Sequence, residues 1–167
     1  MMKHRQAFLI YLATFFLQPF LQNLLPFLGQ NLNLILCLTV MLVFVYQEPA
    51  QGIFFGCVFS LLWDMFYGLY TGPSVFAVLV CGIVVYLFKY FIHIENFLNA
   101  VVFMAGATWL FGSVYWCIYA AVGTTYSYGY AMADLIPQVI CNTIAGLCAY
   151  FVLIEKVKKQ RRDRYYR

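Results

Sequence analysis

Residues 52–72 read GIFFGCVFSLLWDMFYGLYTG. Small residues and one acid recur at every fourth position: Gly52, Gly56, Ser60, Asp64, Gly68 and Gly72. On an α-helix a step of four advances about 400°, so each member is displaced by roughly 40° from the last. The series from Gly52 to Gly68 therefore slants around one side of a helix, while Phe54, Phe55, Phe59, Leu62 and Trp63 cover the rest. A row of small residues lets a second backbone come close, and that packing drives association where lipid tails remove any hydrophobic contrast. A carboxylate at the centre of such a helix costs about 3 kcal/mol on insertion scales. Asp64 is thus expected about one turn from the helix end, facing protein or hydrated headgroups. The stretch reads as a membrane helix pressed along one stripe against another helix.

Composition extends that reading to the whole chain. Of 167 residues, 65% are hydrophobic and only 10% are charged, where a soluble domain carries about 25% charged residues. A spanning helix needs roughly 20 apolar residues. Six segments qualify, at about 6–28, 31–46, 50–68, 73–92, 97–122 and 132–154. The expected fold is all-α, a single polytopic membrane domain over 1–167 with six transmembrane helices and a basic tail at 155–167. The second segment is short for a span. The fifth is long, and is expected to tilt or to bend near Gly106 or Gly112. Gln18, Pro19, Gln22, Asn23 and Pro26 interrupt the first, so its second half should face protein.

Basic residues set the expected orientation. Lys3 and Arg5 precede the first segment, Lys89 ends the fourth, and Lys156, Lys158, Lys159, Arg161, Arg162 and Arg164 follow the sixth. With both termini cytoplasmic, every Lys and Arg falls on the inner side, which favours an even number of spans. The tail then serves as a topology signal and an anchor on anionic lipid, with no nucleic acid implied.

The sixth segment carries its own polar series: Asp134, Gln138, Asn142 and Gly146, with Pro137 expected in its first turn. Asn142 is deep enough to need a hydrogen-bond partner. The third and sixth segments should turn their polar faces inward, and could do so toward each other. A carboxylate pair of Asp64 with Asp134 is the one acid–base arrangement conceivable. No phosphate loop, zinc-protease helix or nucleophile elbow occurs. The six cysteines lie in apolar runs without metal-ligand spacing. No cofactor or metal is expected, and His4 and His93 read as interfacial side chains.

The run GIFFGCVFSLLWDMFYGLYTGPSVFA resembles the signature of the bacterial rod shape-determining MreD family: a glycine-rich helix carrying an aspartate, a glycine four residues on, then a small turn into the next helix. Gly52, Gly56, Asp64, Gly68 and Gly72 match it, and Leu135-Ile136-Pro137 followed by Asn142 fits the family's late helix. The resemblance implies a non-enzymatic membrane subunit of the machinery that builds the lateral cell wall in the bacterial cytoplasmic membrane. It implies MreC as direct partner. Through MreC the assembly would reach MreB filaments, the glycosyltransferase RodA and its penicillin-binding transpeptidase. A second copy of the chain and membrane lipid are further candidate partners. The family's fold is similar to the six-helix substrate-binding subunits of energy-coupling-factor transporters, which supplies the alternative: a small-molecule-binding transporter subunit. Those subunits commonly carry an A-x-x-x-A pattern in the first helix, which Ala7 and Ala13 do not form.

Overall fold

Among the described residues the chain forms six α-helices. The computed structural model describes residues 4–24, 32–46, 49–91, 96–123 and 127–165, with side chains as far as 157. The helices are α1 (His4–Leu24), α2 (Leu34–Val45), α3 (Ala50–Tyr67), α4 (Pro73–Phe88), α5 (Phe97–Val122) and α6 (Tyr128–Tyr165). A single 3-10 turn, Lys89–Phe91, continues α4. Among the described residues there is no strand.

Five of these helices are long and apolar enough to cross a membrane. The chain is therefore a multi-pass helical membrane protein. The exception is α2, with 12 residues. At 1.5 Å per residue it is about 18 Å long, well short of a hydrocarbon core of about 30 Å. It does not lie against lipid. Every residue from Ile35 to Val45 is buried, and α2 packs on each of the other five helices. Around it, consecutive neighbours run α1, α3, α4, α5, α6, each packed on the next. The core is thus an apolar helix with the other five packed around it.

The last helix is longer than the expected 132–154. α6 continues through the basic segment to Tyr165, spanning 38 residues. Its first turn begins at Tyr128, so Pro137 lies inside the helix and not in its opening turn. α5 runs unbroken through Gly106 and Gly112. Asn96 begins it by accepting from Leu98 N, and Gly123 ends it in the left-handed conformation, with φ of 103°.

The third and sixth helices, whose polar faces could have met, do not pack extensively on each other. α3 and α6 each pack on α2, which stands between them. The reason is volume: α2 has bulky Leu, Val, Met and Phe around its whole circumference, and it fills the axis of the bundle.

Candidate functional site

The stripe on α3 is a docking track for α2. Gly52, Gly56, Ser60 and Asp64 are all buried on one face of α3. A Cβ on Gly52 would lie 3.2 Å from Leu42 Cβ and 3.4 Å from Val43 Cγ2. A Cβ on Gly56 would collide with Thr39, with Cγ2 at 2.8 Å and Cβ at 3.2 Å. Hydrogen alone fits there, so the two backbones can approach as the spacing demands. Thr39 Oγ1 donates to Ile35 O at 2.8 Å and lies 2.9 Å from the Tyr11 hydroxyl, which in turn donates to Gly52 O at 2.9 Å. Tyr11, on α1, therefore ties three helices at one point, and its ring stacks on Phe59 at 5.6 Å.

Gly68 and Gly72 do not belong to this track. α3 stops at Tyr67, and the two glycines build the turn beyond it. Gly68 N–H donates to Asp64 O at 2.9 Å, closing α3. Gly72 sits at φ of 120°, a conformation open to glycine and strained for other residues, with Pro73 starting α4 immediately after it.

Asp64 completes that turn. One carboxylate oxygen, Oδ2, accepts from Gly72 N at 2.9 Å and Ser74 N at 3.0 Å. These are the first two main-chain donors of α4, because Pro73 has none. A carboxylate on the positive end of a helix satisfies orphan N–H groups and interacts favourably with its dipole. The acid that seemed out of place in lipid is 2% exposed and caps the next helix. Asp134 is exposed on α6 and shares no hydrogen bond with Asp64 among the described residues, so no carboxylate pair forms.

The two ends of α2 are capped by side chains too, its own Asn33 and residues from other helices. At its N-terminus, Asn33 Oδ1 accepts from Leu36 N at 3.0 Å, and Gln18 Oε1 of α1 accepts from Leu34 N at 3.1 Å. Asn142 Oδ1 of α6 accepts from Asn33 N at 2.8 Å, and Asn142 Nδ2 lies 3.5 Å from Thr108 Oγ1 of α5. At the C-terminus, Lys89 Nζ donates to Val43 O at 3.1 Å and Tyr46 O at 2.8 Å. Its ammonium also lies 5.4 Å and 5.8 Å from the ring centroids of Tyr86 and Tyr90. A cation on helix carbonyls that would otherwise be orphaned is the mirror of Asp64 on α4.

Elsewhere on α6, Gly146 is buried where a Cβ would meet Met104 Cγ at 2.7 Å, so it admits α5 closely. Gln138 and Pro137 are half-buried. Lys156 is exposed, while the side chains of Lys158, Lys159, Arg161, Arg162 and Arg164 lie outside the described residues, as do Lys3, Pro26 and His93. Thr143 Oγ1 is the one buried side-chain polar atom without a partner among the described residues. No group of three potential metal ligands occurs among them.

Sequence reasoning missed Lys89, Tyr11 and Thr39. The charge asymmetry explains Lys89 as a topology signal alone, although a lysine bracketed by Tyr86 and Tyr90 at the end of an apolar run already hints at a desolvated cation. Replacing Lys89 by Met should preserve bulk and leave two α2 carbonyls unpaired, each costing about 1–3 kcal/mol. The expected result is a marked fall in thermal stability in detergent, while Lys156→Met at an exposed position leaves it unchanged. Equal melting of the two variants would exclude the capping role.

No family model, curated protein or solved structure matches this chain.

Proposed function

We propose that this chain is a non-enzymatic membrane subunit of the bacterial cell-elongation machinery, of the MreD type, that helps maintain rod shape by binding MreC. The reading is carried by one observation: the signature-like run from Gly52 to Ala77, in which glycines, aspartate and turn follow the family's order. The geometry supports it by giving those residues a joint purpose. Gly52 and Gly56 seat α2, and Asp64, Gly68 and Gly72 fix the turn into α4. Such residues build a scaffold, and a scaffold suits a subunit that holds partners.

In this reading the enclosed α2 serves as a short sixth pass between α1 and α3, so both termini are cytoplasmic, in keeping with the placement of Lys and Arg. The basic end of α6 then meets anionic headgroups, at about 1 kcal/mol per charge near the surface. The test is purification from the native membrane in mild detergent, with co-purifying proteins identified. MreC is the expected companion. Recovery of an energy-coupling ATPase module without MreC would replace this reading by the transporter-subunit alternative.

A further inference from the structure

α1 packs chiefly on α2 and α3. Between the first turns of α1 and the start of α3 lies an open groove of about 420 Å³, lined by His4, Arg5, Phe8, Leu9 and Phe55. Its floor is aromatic and braced from behind. The Phe8 ring meets Phe55 edge-on at 6.3 Å and lies 5.8 Å from Phe59, while Phe55 lies 6.1 Å from Tyr11. Tyr11 and Phe59 are buried, so the groove is largely preformed. Both walls belong to helices that can span the membrane, and Phe8 and Leu9 are 44% and 60% exposed. Water does not suit such a recess, since a held water needs about two to four polar partners. Hydrocarbon chains are what a bilayer supplies there. The polar residues lie at one end. His4 and Arg5 stand four residues before Phe8 and Leu9, hence on the same face of α1 and about 6 Å nearer its beginning. From the helix start inward the order is cation, then hydrocarbon. No carboxylate is among the lining residues, so nothing in the groove competes for the Arg5 guanidinium.

We propose that this groove seats one anionic glycerophospholipid, with an acyl chain along Phe8, Leu9 and Phe55 and the phosphate on Arg5 and His4. Arg5 carries a planar fork that can hold a phosphate through two parallel hydrogen bonds, and it stays charged at any physiological pH. His4 supplies a further ring N–H donor. A zwitterionic lipid brings a phosphate too, but its own cation sits beside it, so the Arg5 charge selects the anionic class. The site differs from the basic end of α6, which attracts headgroups without a groove to hold a chain. The inference needs only a multi-pass membrane protein and does not depend on the cell-elongation reading.

The test titrates the delipidated full-length chain in mild detergent with phosphatidylglycerol or phosphatidylcholine of identical acyl chains, and counts bound lipids by native mass spectrometry. Arg5→Gln and Leu9→Trp both change exposed side chains, so their lipid-free melting should match that of the unaltered chain. Arg5→Gln should weaken the first phosphatidylglycerol about fivefold, the factor for one charge near a membrane surface, and remove most of its preference over phosphatidylcholine. Leu9→Trp keeps the charge but fills the groove, and should weaken the first phosphatidylglycerol at least as much. Lys156→Gln removes an exposed charge outside the groove and should leave that first binding step unchanged. Inorganic phosphate at the same concentration should not displace the lipid. If Lys156→Gln matches Arg5→Gln, diffuse charge holds the lipid. If Leu9→Trp binds normally or phosphate competes as an equal, no chain lies in the groove. If Arg5→Gln keeps the full preference, the headgroup is not at Arg5. Each of these results overturns the proposal.

Discussion

Gly56→Leu is expected to prevent the bundle from assembling. Its first side-chain atom would fall on Thr39, which is fully buried and tied through its hydroxyl to Ile35 and Tyr11. Thr39 cannot turn aside without breaking those bonds. α2 cannot retreat either, because the other four helices enclose it. Overpacking a close-packed core costs about 1–3 kcal/mol, and the displaced hydroxyl network adds about 1 kcal/mol for each bond lost. The total is a large share of the 5–15 kcal/mol that stabilises a typical domain. The internal control is Gly106→Leu on α5, where an added Cβ meets nothing within 4 Å. Membrane abundance and detergent melting should fall sharply for the first and stay level for the second. Normal melting of Gly56→Leu would mean that α2 and α3 are not in this contact.

The second large effect is at Asp64, and its form distinguishes a cap from a buried charge. Asp64→Ala strips the acceptor from the buried Ser74 N–H and the half-buried Gly72 N–H. Unsatisfied buried donors cost about 1–3 kcal/mol each. Asp64→Asn retains a carbonyl oxygen of the same reach and loses only the charge–dipole attraction, about 0.3–1 kcal/mol for an ordinary helix end. Asn should therefore recover most of the stability that Ala loses. If Asn and Ala melt together, the charge itself is what the site requires and the capping account fails. In a rod-shaped host, a variant present at normal membrane level that still fails to maintain shape would place the α3–α4 turn at a partner contact.

Much of this arrangement was legible because membrane helices announce themselves by composition. The expected ranges 50–68, 73–92 and 97–122 lie close to Ala50–Tyr67, Pro73–Phe91 and Phe97–Val122. The stripe was legible too, since a period of four on a helix is geometry. Its far end was not. Gly68 and Gly72 keep the same spacing but serve the turn, and only the Gly-Pro pair after Thr71 marks where helix periodicity lapses. The identity of the helix seated on Gly52 and Gly56 could not be read, because small residues announce closeness without naming a neighbour. Hydropathy also failed on α2. It measures how apolar a segment is, and α2, with its enclosure, is as apolar as a lipid-facing span. The signs that it is enclosed are polar residues far away in sequence: Gln18, Lys89 and Asn142.

An enclosed α2 has a consequence for how the protein meets different membranes. Hydrophobic mismatch acts through the surface that touches lipid, and a helix in a bilayer of the wrong thickness adjusts by tilting. That force falls on the five outer helices. It cannot reach α2 directly, because from Ile35 to Val45 no residue is exposed. The outer helices can lean with bilayer thickness while the axle they lean around keeps its length and its surroundings, so the protein's centre is solvated by protein alone and should feel a change of lipid only through the joints at its two ends.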